Sequence, residues 1–498
     1  MVSILELRRV SKFSKKAVNH SGGAPTDMGC GIWCNKSVCL AASSGVDFDI
    51  DSCLLPPAGS GRVALCMGLF NTFSPNDDEG RGSSDASSGD EKEQETAQEK
   101  RLRLTKQYLA HLEAEENEAE ESLTPDKDAI AHRLKSELLE QSGKLQKFVA
   151  SEYACPSIND LSILRGHQLA ITCIVISSDN RFIFSGSKDC SIIKWNVVTG
   201  KKEHKIPGGR KGTEGKHIGH TDHILALTLS SDDTLLVSGC RNKLIHVWDP
   251  CTCTLKHTFK GHRDAISGLA FRKGTHQLFS SSHDRSVKIW NLDEMAYVET
   301  LFGHQDAITG IDSLTRDRSI TSGGRDNSIR IWKVLEESQL IFHGHLGSID
   351  CVKLINEDHF ISGSDDGSIA LWSVMKKKPL SIKRDAHLGP VGATQSCKIK
   401  ENWICSVAAL QGTDLVASGS KDGTIRFWQC SEGYKSLSPA FQVPLEGFIN
   451  SMQFSSDGTF LAAGVGQEHR LGRWWRLKEA KNNIVIIKLH KTNAENIR

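Results

Sequence analysis

From about residue 160 onward the chain alternates short apolar runs with turn residues at a steady pace. Ala265-Ile266-Ser267-Gly268-Leu269-Ala270-Phe271 has the alternation of a half-buried strand. The next run, SSSHDRSVKIW ending at Trp290, is a polar turn followed by alternating apolar positions, which is strand–turn–strand grammar. Before residue 160 the pattern changes. Residues 97–121 are helix formers without Gly or Pro, and Leu102, Leu104, Tyr108, Leu109 and Leu112 make one stripe near helical spacing. Pro125 ends that helix, and Asp126 starts a second with Ile130, Leu134, Leu138, Leu139 and Leu145 on one face. Two such helices have too little core to fold alone, so they are expected to dock on the strand-rich body or on a partner. Residues 77–95 are acidic and serine-rich, the composition of a disordered segment. Within it, Ser87 and Ser88 each have an acid three residues on, which suits an acid-directed kinase or a solvated spacer equally. The expected division is a disordered leader over 1–95, a helical segment over 96–150 and a strand-built body over 151–490.

The body is a repeat. Gly-His recurs at Gly166-His167, Gly219-His220, Gly261-His262, Gly303-His304 and Gly344-His345, with a degenerate copy at Ala386-His387. Each is followed by a strand-closing Trp: Trp195, Trp248, Trp290, Trp332, Trp372 and Trp428. The His–Trp separation is 28 residues in the first four copies, 27 in the fifth and 41 in the sixth, which implies an insertion near 388–402. Six residues before each Trp stands Asp189, Asn242, Asp284, Asp326, Asp366 or Asp422. Four strands in about 42 residues make one propeller blade. A weaker seventh unit puts Gly447-Phe448 in the Gly-His place and Gly466-Gln467-Glu468-His469 in the acidic turn, with Trp474-Trp475 expected to close it. Leu161–Leu164 and Ile484–Ile487 both look like outer strands, so either chain end could complete the ring.

The spacing suggests a hydrogen-bonded chain inside each blade. The imidazole reaches the turn aspartate, and a strand Ser or Thr links it to the indole N–H, so that each partly buried polar group has a partner. A His/Asp/Ser set repeated six times around a ring is architecture, not a catalytic triad. These motifs cover about 320 residues and resemble the WD-repeat family, which implies an all-β, seven-bladed β-propeller preceded by the acidic leader and the short α-helices. Several segments narrow the resemblance: ETAQEKRLRLTKQYLAHLEAEE, KLQKFVASEY, LRGHQLAITC, GHRDAISGLAFRKGTHQLFSSSHDRSVKIWN, ETLFGHQDAITG and GVGQEHRLGRWWRLKEA. Over about residues 95–490 they resemble the WD-repeat subfamily that interacts with U3 small nucleolar RNA. That resemblance implies a nucleolar, non-catalytic scaffold with no cofactor. It further implies partnership with U3 RNA, the box C/D ribonucleoprotein core proteins and the small-subunit processome, in support of 18S pre-rRNA processing. One departure is the leader, because the subfamily usually begins with a strongly basic nuclear-targeting stretch. Residues 1–76 here carry only scattered bases such as Arg8, Arg9, Lys12, Lys15 and Lys16.

Charge sharpens the search for a contact surface. Lys+Arg is 61 and Asp+Glu is 60 in the 498 residues. Residues 77–99 hold nine acids and two bases, whereas residues 151–498 hold 43 bases and 36 acids. A basic body suggests an anionic partner. The connection between the first two repeats offers Lys201, Lys202, Lys205, Arg210, Lys211 and Lys216 as phosphate contacts, against a solvated loop. The second candidate is His469, Arg470, Arg473 and Arg476 beside Trp474, where the chain abandons its own repeat; there the competing reading is edge packing by a terminal blade. A third cluster, Lys376-Lys377-Lys378 with Lys383-Arg384, sits in an ordinary inter-blade turn. The chain has no phosphate-cradling Gly loop, no nucleophile outside the repeat grammar and no metal spacing beyond the lone Cys30/Cys34 pair, so an enzyme is not expected. The fifteen cysteines are odd in number and unpaired in spacing, which fits free thiols in a reducing compartment. No apolar run is long enough to span a membrane. The competing function is a generic WD-repeat adaptor, such as a ubiquitin ligase substrate receptor or a signalling scaffold.

Overall fold

The computed structural model describes residues 97–119, 127–210, 212–213, 217–387, 402–472 and 474–492. The expected disordered leader, the Cys30/Cys34 pair and the insertion after residue 387 lie outside the described residues. Seven four-stranded antiparallel sheets form the blades of a propeller. Their inner strands are Ile171–Ile176, Ile224–Leu229, Ile266–Phe271, Ile308–Ser313, Ile349–Leu354, Ser406–Ala409 and Phe448–Phe454. These strands are buried on both faces, which explains their nearly continuous apolar character. Seven apolar clusters lie between successive blades, from the cluster of Phe184, Ile224 and Trp248 to the one that joins Ile171 and Ile174 to Ile484 and Ile486. The hydrophobic core is therefore a ring, and each blade buries its two faces only against its neighbours.

In six blades the pairing between the first two strands is shifted by a β-bulge near the start of the inner strand, as between Ile171 and Cys173 or Ile349 and Cys351. A bulge leaves ladder groups needing other partners. At four inter-blade junctions the neighbouring blade supplies one. The Thr172 hydroxyl donates to the Ile224 carbonyl at 2.5 Å, and Thr309 does the same for Ile349 at 2.5 Å. Ser406 donates to Ile449 at 2.7 Å, and the Asn450 amide donates to Ile171 at 2.8 Å. The last of these joins blade seven to blade one.

Blade seven resolves the closing of the ring and corrects one expectation. Its strands, from the channel outward, are Phe448–Phe454, Phe460–Gly466, Asn483–Lys488 and Leu161–Leu164. Both chain ends thus enter the same blade, and the N-terminal strand is the outermost. Trp474-Trp475 do not close the blade: they lie in the long loop before its third strand, 80% and 50% exposed. Ile484 and Ile486 do the core packing instead, because they alternate in register with Ala462 and Gly464 of the second strand.

The helices run over Ala97–Ala119 and Lys127–Gln141. None of the described helices is long and apolar enough to cross a membrane. The second helix reaches the propeller through the polar chain that follows it, while Leu138 stays 56% exposed. The Glu357 N–H donates to the Gly143 carbonyl, and Lys144 pairs with Asp358 at 2.8 Å. Farther on, the Val149 and Ala150 N–H groups both donate to the fully buried Asp414 carboxylate, at 2.8 and 3.0 Å. The Tyr153 hydroxyl donates to the Gly458 carbonyl at 2.9 Å. This strap crosses blades five to seven before delivering the closing strand.

Candidate nucleic-acid interface

Most polar groups of the repeat are tied into the blades. In blade one His167 Nδ1 lies 3.2 Å from Asp189, its Nε2 lies 2.8 Å from the Ser185 hydroxyl, and the Trp195 indole N–H donates to that hydroxyl at 2.8 Å. The same chain runs through His262, Asp284 and Trp290, through His304, Asp326 and Trp332, and through His387, Asp422 and Trp428. Two blades depart from it. In blade five His345 meets the Ser368 hydroxyl at 2.8 Å, and Ser368 in turn donates to Asp366 at 2.5 Å, so Asp366 is reached through a relay; Trp372 keeps its bond to Ser362. In blade two Asn242 donates to Thr221, and the buried Nδ1 of His220 has no hydrogen-bond partner among the described residues, although Nε2 and Trp248 share Ser238. The residue after each turn acid or amide is left-handed: Cys190, Lys243, Arg285, Asn327, Gly367 and Gly423, with φ from 51° to 81°. In five blades the turn carboxylate accepts the N–H two residues on, which holds that conformation even where Cβ disfavours it. Burial opposes ionisation of Asp284, but hydrogen bonds from His262, Ser286 and the Arg263 N–H outweigh it and hold the carboxyl well below the usual range.

The loop between the second and third strands of blade seven, residues 467–482, is the large break in the repeat. It stands on the face that carries the Gly-His corners and the acidic turns. Arg470 points from it into the central channel. Its Nη2 donates to the carbonyls of Thr309 and Asp350, at 2.9 and 2.8 Å, and its backbone N–H donates to Asn450. His469 is buried, edge-on to Trp403, and burial together with Arg470 and Lys188 pushes it down to about 3. Lys188 from blade one donates to the His469 carbonyl at 2.6 Å and the Gly472 carbonyl at 3.1 Å. The loop is thus pinned at both ends of this stretch, and His469 and Arg470 are anchors beneath the surface. Arg476 is exposed and donates to Gln467. Arg473 lies outside the described residues. Lys421 of blade six sits 4.6 Å from the centre of the Trp475 ring, in cation–π contact.

The first basic candidate is only partly a loop. Lys202–Ile206 is the outermost strand of blade one, paired with Ile192–Asn196. Lys201, Lys202, Lys205 and Arg210 are all exposed. Glu203, the acid among them, engages Lys194 and Asn196 of the adjacent strand. Lys211 and Lys216 lie outside the described residues.

The WD domain, G-beta repeat family matches residues 159–196, 213–249, 253–291, 295–333, 336–373 and 393–429. The chain is 56% identical over 400 residues to the mouse U3 small nucleolar RNA-interacting protein 2, covering 80% of this chain and 83% of that one. It belongs to that family of WD-repeat proteins. It is 26% identical to ribosomal RNA-processing protein 9 of Saccharomyces cerevisiae over 523 residues, 81% of this chain and 91% of that one. A solved structure titled "Crystal structure of RRP9 WD40 repeats" superposes with a TM-score of 0.64 at 56% identity, covering 68% of this chain and all of that one.

One group of residues went unnoticed in the sequence because it sits inside the repeat grammar. The position just before the turn acid or amide is Lys188, Arg241, His283, Arg325, Asp365 or Lys421. Five of these six are basic; Lys188, Arg241 and His283 line one cavity beneath the 467–482 loop, and Lys421 meets Trp475 of that loop. The signal was visible as a column in the aligned repeats, and it is masked when each turn is read by itself.

Proposed function

We propose that this chain is a non-catalytic scaffold of the U3 small nucleolar ribonucleoprotein in the nucleolus. In this role it supports small-subunit pre-rRNA processing and contacts U3 RNA alongside the box C/D core proteins. Its relatives' names support the particle. The observation that carries the RNA contact is the outer strand of blade one. Lys201, Lys202, Lys205 and Arg210 are exposed there, and the one acid inside the strand is turned to Lys194 and Asn196. Exposed cations on an edge strand meet phosphates without any change in the ring. Arg476 extends the basic surface on the loop face.

The test reverses the charge of Lys201, Lys202, Lys205, Arg210 and Lys211 together and measures binding to naked U3 RNA and to the preassembled particle at two salt concentrations. The melting temperature should hold, affinity should fall for both, and the slope of log affinity against log salt should flatten by about 0.7–0.9 per lost contact. Unchanged binding to both would make the strand a solvated rim. Co-purification of ligase subunits without RNA would favour the adaptor reading instead.

A further inference from the structure

The outermost strand of blade three, Ala296–Phe302, is unlike the outer edges of the other blades. We propose that it is a docking edge for an extended basic segment of a partner protein, which adds a fifth strand to the blade. An open edge offers a row of backbone donors and acceptors to another chain, and proteins blunt such edges with Lys, Pro or short length. Blade one carries Lys202 and Lys205 on its edge, blade two Lys256 and Lys260, and blade six Pro439 and Pro444. The edges of blades five and seven are only three and four residues long. Blade four turns Leu340 and Phe342 of its edge into its own apolar cluster. The edge of blade three has seven residues and neither Lys nor Pro. Tyr297, Val298 and Phe302 on it are 51%, 55% and 73% exposed.

Val298 is the extra residue of a bulge, since Trp290 pairs with Tyr297 and Ile289 with Glu299. Blades one and two have a bulge at the same Trp, so it belongs to the repeat and is no special defence of this edge. Beyond the bulge, Glu299 to Phe302 run in unbroken register with Ile289 to Ser286, and no strand among the described residues pairs with their other side. Tyr297 is held in place: its hydroxyl lies 2.7 Å from that of Thr300, and its ring stands edge-on to Trp290 at 5.6 Å. Charge selects the occupant. Glu294 and Glu299 are exposed on blade three, and Glu337 is exposed on blade four. The lysines on the third strands of these two blades are already engaged. Lys288 donates to Thr300 at 2.5 Å, and Lys333 donates to Glu336 at 2.6 Å. An RNA backbone would be repelled here, and a second copy of the edge would bring like acids together. A segment that alternates apolar and basic side chains gains backbone hydrogen bonds, apolar contact and a cross-strand charge pair with Glu299. The edge lies on a different blade from the basic strand that meets RNA, so this inference does not depend on that contact.

The experiment uses the full chain and fluorescein-labelled peptides of about eight residues, a usual strand length, that alternate Val with Lys and Thr. The parent peptide is compared by fluorescence anisotropy with one that has Glu in place of Lys, and with two forms N-methylated at odd or at even positions. The parent should bind about fivefold more tightly than the Glu peptide, the scale of one cross-strand charge pair. At least one N-methylated form should fail to bind, because the edge then loses its backbone partners. Glu299→Lys should reverse the preference between the Lys and Glu peptides. Val298→Lys and Phe302→Lys should weaken the parent without lowering Tm, since both side chains are exposed. The five-site variant of blade one should bind the parent as the wild type does, so failure of the RNA reading is seen separately. Binding of both N-methylated forms as tightly as the parent would overturn the proposal and leave only charge attraction. A preference that survives Glu299→Lys would overturn it, as would a wild type that binds none of the peptides. A wild-type dimer that Phe302→Lys separates would also overturn it and assign the edge to a second copy of the chain.

Discussion

A buried imidazole needs a partner on each nitrogen, and the blades show what happens when one is withheld. His167, His262, His304 and His387 have a carboxylate on Nδ1 and a hydroxyl on Nε2. His220 has only the hydroxyl, because position 242 is Asn and its amide turns to Thr221. Asn242→Asp should supply the absent acceptor. A recovered hydrogen bond of about 1 kcal/mol should raise Tm by about 1–2 °C in a differential scan, and a lower Tm would mean that a carboxylate there stays unpaired. Two other histidines contribute to the pH dependence of the fold. Burial pushes both His345 and His246 down to about 4. A histidine whose folded pKa is depressed contributes stability that is fully present above its ordinary value of 6.5 and is lost as the pH falls toward 4. A tenfold change in a protonation equilibrium is worth about 1.4 kcal/mol, so two such groups suffice to move the melting temperature measurably. Tm should therefore fall between about pH 6.5 and 4, and the fall should be shallower in His345→Gln. The His–Asp–Trp columns were legible because three chemically distinct residues recur at fixed spacing. The Ser368 relay and the Asn242 exception were not, because a difference of one hydrogen bond leaves no mark on spacing.

At the scale of elements, legibility followed periodicity. Six blades could be located from their alternation, and two helices from their stripes. Blade seven was misassigned at its third strand because a Trp pair at the end of a repeat resembles a strand terminus, while the real strand, Asn483–Lys488, carries isoleucines and no Trp. The displaced loop is where the repeat gives way to a surface with its own geometry. Arg470 crosses the channel to blades four and five, and Lys188 of blade one holds the loop through the His469 and Gly472 carbonyls, so a segment without regular structure is tied to three other blades. Trp474, expected to close the blade, is instead exposed on this loop. The position of His469 and Arg470 beneath the surface could not be read either. A basic residue in an irregular segment looks the same in sequence whether it faces solvent or a channel. The strap had no periodic signal, since much of its hold is made by backbone N–H groups on Asp414, and backbone donors are common to nearly every residue.

At the scale of the whole molecule, a propeller must convert a linear chain into a ring, and here a four-residue strand makes the closure. Leu161, Ser162, Ile163 and Leu164 pair with Ile487, Ile486, Val485 and Ile484. Without them the third strand of blade seven becomes an edge with a run of four apolar residues and unpaired backbone groups, the kind of edge that recruits another chain. The blade one to blade seven interface would suffer with it, because Leu164 shares one apolar cluster with Ile171, Trp195 and Ile484. Two truncations separate this role from that of the preceding segments. A chain starting at residue 143 keeps the strap and the closing strand. It should melt within a few degrees of the full protein and elute as a monomer. A chain starting at residue 166 loses both and should melt well below it, with concentration-dependent association on a sizing column. A third, starting at residue 157, keeps the strand but loses the Asp414 and Tyr153 contacts of the strap, and should fall between the two. If the chain starting at 166 melted with the others, the apolar interfaces alone would hold the ring, and the closing strand would serve only to cover an edge.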